Sequence, residues 1–503
     1  MRTHDAVKRS SLRDSPLRPE ALGDPAPLRA ALLAAGYTPS SVAEILKPLG
    51  PRQAADIAIV RRRAGVETPL HVLVRLFMLG ERIAEDSLSL ALPTGVEPLV
   101  AAGLLERGAA GVRAIAKLQP FEDWYLAADF GPDVTGCRTP SDHVLGVGAA
   151  SLTLARLTVR RRCAATLDLG TGAGVQALFA AAHSARVVGT DVNRRALAFA
   201  AFNVRLNGIA NVDLRCGSFF DPVEGQRFDL VVSNPPYVIS PASKFVYRNG
   251  GLEGDGVSET VVRAAPASLT DGGFAVILAN WRWDEGVDWD ARPRQWVKDA
   301  GCDAWILGFD EGDPLTYAAQ WLKAEEAGMA ELEAELDDWL RYYEHAGIRR
   351  ICAGAVILRR VFGRPGWVRA DRVAGSGPAG EGGEQIARIF DAETFLLTQP
   401  DDSQLLSHPF LTCPDVRLDH SLKIVDGAWT LDRSSLYQTK GLALAGAIDA
   451  YGMSLLAMCD GRQPLRVVLD LLCQRTNRDP RALAPALVGV VRSLLRSGVL
   501  IPA

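Results

Sequence analysis

Seven short apolar runs, separated by helical or polar stretches, recur through the middle of the chain. They fall at residues 165–169, 185–191, 211–216, 228–233, 273–280, 303–309 and 351–360. Each has strand length, and several are rich in β-branched residues. Residues 194–207 carry helical apolar spacing and stop at Gly208, where a left-handed cap is expected. A long charged helix is expected over 329–345. Strands alternating with helices predict an α/β, Rossmann-like domain of seven strands over residues 130–368.

The flanks are patterned differently. Residues 1–27 are charged and proline-bearing, and read as a flexible tail. Residues 28–129 form an N-terminal helical stretch: Leu28-Arg29-Ala30-Ala31-Leu32-Leu33 and 70–83 have helical spacing. Then Gly103-Leu104-Leu105 leads into a two-strand ribbon, an order that resembles a winged helix. Its presumed recognition helix is nearly free of Lys and Arg, which phosphate binding needs, so packing or substrate presentation is expected rather than DNA binding. Residues 369–384 are glycine-rich and read as a linker or loop. Residues 385–503 form a C-terminal domain with strands near 416–425 and 428–431 and helices over 442–458, 467–475 and 484–497. Its Asp460-Gly461-Arg462 turn and Gly498-Val499-Leu500 ending again resemble a winged helix, of the PqqD type that holds substrate peptides; a structural or dimerising domain is the plainer reading.

Composition narrows the class. The 503 residues are 48% hydrophobic, enough for two to four domains with real cores. A net charge of −4 gives no global attraction to nucleic acid. The eight cysteines stand singly without metal-ligand spacing, and the seven histidines do not cluster. Reduced thiols in a cytoplasmic protein and no metal site are expected. No run is long enough to span a membrane.

The candidate chemistry lies at the ends of the first four central strands. Asp168 ends the first, which opens into Gly170-Thr171-Gly172-Ala173-Gly174. A glycine turn between strand and helix lets backbone approach a nucleotide-type cofactor. Asp191 ends the second strand, at a spacing that suits an acid binding ribose hydroxyls; the competing reading is a helix N-cap, with Asn193 as rival. After the third strand come Ser218 and Phe219, the latter equally readable as a core residue.

Asn234-Pro235-Pro236-Tyr237 follows the fourth strand. A planar nitrogen is a poor nucleophile because its lone pair is delocalised. The Asn234 side-chain oxygen and the Pro235 carbonyl are two acceptors that fix such a nitrogen. Proline pre-sets the turn, and Tyr237 offers a flat face. Trp281 and Trp283 follow the fifth strand and either line the pocket or pack on a neighbour.

Residues 142–360 resemble class I S-adenosyl-L-methionine (SAM)-dependent methyltransferases, and most of all the release-factor glutamine methyltransferase family. The acidic glycine-rich segment from Tyr247 to Gly256 adds to the likeness; residues 143–151 lack the family's Pro-Arg-x-x-Thr-Glu element. The resemblance implies SAM as cofactor, bound by Asp168, Gly170, Thr171, Gly172, Gly174, Asp191, Val192, Ser218, Phe219 and Asn234. It implies that Asn234, Pro235, Pro236 and Tyr237 hold the target nitrogen. A protein or peptide side-chain amide is the leading substrate. An amino group of an RNA or DNA base is the alternative, because the same turn serves both. A SAM-sensing winged-helix regulator is the alternative of another class, though a sensor has no use for Asn234.

Overall fold

The computed structural model describes residues 15–47, 53–241, 252–322, 329–373, 380–442 and 446–503. It divides into two compact units: Met1–Leu152 with Arg162–Ala370, and Thr153–Arg161 with Asp371–Ala503. Residues 374–379 of the glycine-rich stretch and residues 247–251 of the acidic glycine-rich segment lie outside the described residues.

The first unit begins with helices that include Ala26–Ala34, Pro39–Leu46 and Pro69–Phe77. Thr38-Pro39 and Thr68-Pro69 open two of them. Each threonine side chain accepts a backbone N–H, and each proline fills a position that needs no donor. Two hairpins follow, β1 (Leu105–Gly108) with β2 (Gly111–Ala114) and β3 (Lys117–Phe121) with β4 (Trp124–Ala128). Ile83 bridges Val112. Leu32, Tyr37, Phe77, Leu118 and Leu126 of this region share one apolar cluster with Leu178, Phe199 and Phe202.

The last two residues lie on helix Arg194–Leu206, whose buried face also carries Asn203, with Asn207 at its C-cap. The two amides stitch the edge of β4. Asn203 accepts from Ala127 N at 2.7 Å and donates to Ala127 O at 3.0 Å. Asn207 does the same for Tyr125, at 2.9 and 2.8 Å. The i, i+4 spacing thus satisfies strand groups that would otherwise be buried without partners.

The central sheet contains β5 (Cys163–Leu169), β6 (Ser184–Asp191), β7 (Val212–Cys216), β8 (Phe228–Ser233), β9 (Leu269–Trp283), β10 (Cys302–Gly312), β11 (Arg350–Arg360) and β12 (Val368–Arg372). Their order is β12-β10-β11-β9-β8-β5-β6-β7. Strands β5 to β9 pair in parallel, and β11 runs antiparallel between β9 and β10. Parallel strands covered on both faces read as continuous apolar runs, which is why the sequence reveals them. The eighth strand, β12, reads Val-Arg-Ala-Asp-Arg and sits at the edge, so it carries no such run. Strand β9 extends to Trp283 because β11 pairs with it as far as Arg350, whose guanidinium lies over the Trp283 ring at 4.7 Å.

The second unit packs helices Gly383–Thr398, Ala450–Met458, Leu465–Thr476 and Pro480–Arg496 around an apolar cluster that includes Phe410, Leu469, Val491 and Leu495. A small sheet has the order β17-β13-β18, formed by β13 (Pro409–Thr412), β17 (Asp460–Pro464) and β18 (Leu500–Pro502). A second sheet has the order β14-β15-β16, from β14 (Val416–Val425), β15 (Ala428–Gln438) and β16 (Gly446–Ala447). Two expectations change here. The helix expected from 442 begins at Ala450, because the Asp449 side chain caps Gly452 N and Gly446–Ala447 is paired as strand. The Asp460-Gly461-Arg462 turn is instead part of β17. Among the described residues, no helix is long and apolar enough to cross a membrane.

Candidate active site

The carboxyl ends of β8, β5, β6 and β7 lie level. Leu169 pairs with both Ser233 and Thr190, and Asp191 pairs with Cys216. The chain winds away from β5 in both directions, to β6 on one side and β8 on the other. Ligands of open α/β sheets bind at such a switch point.

The glycine turn is held from below. Gly170 N and Thr171 N both donate to Thr190 O at 2.9 Å. Asp168 is buried, and its Oδ2 accepts from Thr171 Oγ1 at 2.6 Å and Ala177 N at 3.0 Å. The carboxylate therefore braces the turn and the start of helix Val175–Ala181. Gly170, Gly172 and Gly174 have φ of +75°, +56° and +87°, a left-handed backbone that side chains resist. Nothing lies within 4 Å of where a Cβ would stand on Gly170 or Gly172, so this face of the turn is open.

Asp191 sits across the turn. Its Oδ2 accepts from Gly172 N at 2.9 Å and its Oδ1 from Asn193 N at 2.8 Å. The helix cap is Asn193, whose Oδ1 accepts from Arg195 N at 3.0 Å. Asp191 is thus released from capping. Beside it, Val192 is 46% exposed and Ser218 is exposed. Phe219 is half-buried at φ +45° and packs in part on the sheet core.

Burial pushes the Asp168 carboxyl up to about 7, and the nearby Asp191 charge adds to the rise. Burial raises the Asp191 carboxyl as well, against the pull of its backbone N–H donors. For Asp168 the sign is fixed. Its contribution to stability is fully present below the unfolded pKa of about 3.9 and is lost as pH rises to about 7. Asp168→Asn keeps an oxygen for both hydrogen bonds and removes the titration. In unliganded protein, the variant should gain on wild type between pH 4 and pH 8, by on the order of 4 kcal/mol. Denaturant melts at the two pH values check this, and parallel profiles for the two proteins would contradict it.

The Asn234-Pro235-Pro236-Tyr237 turn leaves β8 directly. Buried Ser233 donates through Oγ to Leu169 O at 2.9 Å, locking the root of this turn to the root of the glycine turn. Asn234 is half-buried, and its side-chain amide makes no hydrogen bond among the described residues. The Pro235 carbonyl already accepts Tyr237 N–H at 2.8 Å. A carbonyl has a second lone pair, so one acceptor site remains.

Burial pushes the Tyr237 phenol up to about 12, which keeps it protonated. Its ring packs against a cluster of Val238, Ile239, Tyr317, Trp339 and Tyr343. The chain beyond is fixed by two phenols: Tyr317 Oη accepts from Ile239 N at 3.2 Å and Asn280 Nδ2 at 2.7 Å, and Tyr343 Oη donates to Ile239 O at 2.8 Å. Helices Pro314–Trp321 and Met329–His345 thereby support the acceptor turn.

Of the two readings of Trp281, lining the pocket or packing on a neighbour, the structure gives the packed one. Trp281 is fully buried, donates to Trp289 O at 2.7 Å and packs with Trp289 and Trp296. Its position on β9 turns it into the core. Asp255, from the acidic glycine-rich segment, is buried in a bidentate pair with Arg292 at 2.6 Å. Its charge is neutralised. Among the described residues, no cluster of His, Cys, Asp or Glu has the geometry to hold a metal ion.

Other supports escaped the sequence reading. Asn203 also donates to Ala173 O at 2.8 Å, holding the glycine turn from the helix behind it. Arg195 makes a bidentate pair with Asp129, which also accepts Val144 N at 2.8 Å. Polar residues repeating on the buried face of an otherwise apolar helix were the available signal.

Residues 145–284 match the methyltransferase small domain. Residues 34–115 and 387–502 match two different domains of unknown function. The release factor glutamine methyltransferase of Xylella fastidiosa is 35% identical over 135 residues, 24% of this chain and 47% of that protein. That of Salmonella typhimurium is 31% identical over 209 residues, 39% of this chain and 72% of that protein. The ribosomal protein uL3 glutamine methyltransferase of Bradyrhizobium diazoefficiens is 37% identical over 154 residues, 28% and 47% of the two chains. The matches to the Xylella and Bradyrhizobium proteins span about half their length. A methyltransferase structure from Pyrococcus furiosus covers 42% of this chain and 81% of its own at 18% identity, with a TM-score of 0.27.

The sheet order, the glycine turn at its switch point and the matched domain together define a class I SAM-dependent methyltransferase. Within that class, the chain belongs to the release factor glutamine methyltransferase family.

Proposed function

We propose that the protein transfers a methyl group to a side-chain amide nitrogen of a protein substrate, glutamine being the leading residue. The observation that carries this is the Asn-Pro-Pro-Tyr turn, rooted through Ser233 on the same strand ends as the glycine turn. The glutamine methyltransferases among its relatives favour an amide over other nitrogens.

SAM supplies an activated methyl group on a sulfonium centre, so the protein's task is largely one of position. The open faces of Gly170 and Gly172 fit a ligand laid close to backbone. Each Asp191 oxygen holds one backbone N–H and keeps a further lone pair, the number needed for two ribose hydroxyls. Val192, Phe219 and the adjacent Ser218 offer an apolar and polar border for a base. Asp168, committed to Thr171 and Ala177, acts by shaping the turn. The Asn234 oxygen and the remaining lone pair on Pro235 accept from the substrate amide N–H groups. Both acceptors favour a nitrogen whose lone pair has left the amide plane. Tyr237, neutral and packed, gives the amide a flat wall.

The test uses the full chain with methyl-labelled SAM and a cell extract. Label should survive nuclease and be released by protease, and acid-free digestion should yield N-methylated glutamine. Label lost to nuclease would place the substrate among RNA or DNA bases instead. Binding of SAM with no transfer to any polymer would favour a SAM-sensing regulator.

A further inference from the structure

We propose that the free edge of β14 is a self-recognition surface, through which two copies of this chain pair as antiparallel strands about a two-fold axis at Ser421. Strands β14 and β15 form a long hairpin closed by Asp426 and Gly427, with φ of +51° and +80°. Positive φ at both positions is the two-residue turn that matches strand twist. Beyond its base the hairpin is exposed. Leu422 faces Leu431 and Ile424 faces Trp429 on one side of it, and these four are 53%, 48%, 62% and 70% exposed. Such an apolar strip on an exposed hairpin needs an explanation.

Among the described residues, β14 is the outer strand of its sheet. It runs ten residues without proline, and the register shift opposite Ser421 and Leu422 is taken up by Asp432 on β15. The edge itself is therefore regular and unprotected. Its polarity can be assigned. Thr439 N donates to Asp415 O at 2.9 Å, so residue 415 turns its backbone groups toward β15. By the period of two, 417, 419, 421 and 423 do likewise, and Leu418, His420, Leu422 and Ile424 present N–H and C=O outward.

The sequence around Ser421 is self-complementary when reversed. Pairing about that residue sets Leu418 against the partner's Ile424 and His420 against the partner's Leu422, all outward-facing and able to exchange hydrogen bonds. On the other face it sets Asp419 against the partner's Lys423, twice by symmetry. These are the non-hydrogen-bonded positions, where side chains approach most closely. Moving the axis by one residue removes this match. An axis at His420 opposes Arg417 and Lys423, and one at Leu422 sets Asp419 against Val425. Charge thus selects one register and one occupant, a second copy. Lys423 also meets Asp432 of its own hairpin at 2.7 Å, and an ammonium with three donors serves both carboxylates.

Sedimentation of the full chain over a range of concentrations tests the proposal. Wild type should form a concentration-dependent dimer. Asp419→Lys places two like-charge pairs at the axis and should weaken the dimer by about tenfold or more. Asp419→Lys combined with Lys423→Asp reverses both partners and should restore it; the exposed Lys423–Asp432 pair lost in that variant contributes little. Circular dichroism reports whether each variant folds. As a second measurement, Ser421→Cys should yield a disulfide-linked dimer on mild oxidation that wild type does not form. A monomer at every concentration, a dimer indifferent to Asp419→Lys, or no recovery in the double variant would each overturn the proposal.

Discussion

Asn234→Ala lowers kcat by about 10²–10³-fold and leaves SAM affinity within about threefold of wild type, the size expected for one preorganised hydrogen-bond partner of a transition state. The prediction rests on where the side chain stands. Its backbone is fixed on both sides, by Ser233 bonded to Leu169 O and by the buried ring of Pro235. Its amide is half-buried and has no partner among the described residues. Removing it therefore breaks no side-chain hydrogen bond among the described residues. What it removes is an acceptor that a planar amide nitrogen needs only as its lone pair is freed, so the loss falls on kcat rather than on ground-state binding. Methyl-transfer kinetics and calorimetry with SAM measure the two separately. Parallel loss of both would make Asn234 a structural residue.

Asp191→Ala has the larger effect on cofactor affinity. Two kinds of bond disappear at once. The carboxylate would lose its ribose hydroxyls, each hydrogen bond to a charged group being worth about 1.5–3 kcal/mol. It would also release Gly172 N and Asn193 N, so the turn loses its strut. A rise of at least about 10²-fold in the SAM dissociation constant is expected. Asp191→Asn should fall between, since one oxygen remains to hold a backbone N–H. Titration calorimetry decides, and an unchanged dissociation constant in Asp191→Ala would remove the acid from the site.

The parts of this site that the sequence revealed are those governed by short-range rules. A strand buried on both faces must be apolar along its length, and a turn at positive φ asks for glycine. Asp168, Gly170, Gly172 and Asn234 could therefore be placed from neighbouring residues alone. Tertiary decisions were illegible. Trp281 lies near the end of the strand that follows the acceptor turn, yet strand alternation sends it into the core against Trp289 and Trp296. Asp255 reads as a free acid until Arg292, on a distant helix, is brought to it. The polar edge strand β12 gave no apolar signal. The bond from Tyr237 N to the Pro235 carbonyl depends on the torsions of the turn itself, which the residue types leave open.

Asn203 has a consequence for what counts as the catalytic module. One amide holds β4 from the N-terminal region and Ala173 of the cofactor turn together, in a position with no exposure to water. The matched methyltransferase small domain starts at residue 145, past β4. Evolutionary kinship and mechanical integrity therefore have different borders in this chain. Cutting at the border of kinship would strand that amide without β4, and with it Asn207 and the apolar wall formed by Phe199 and Phe202. The N-terminal region is, in engineering terms, part of the chassis on which the cofactor turn is mounted, whatever else it recognises.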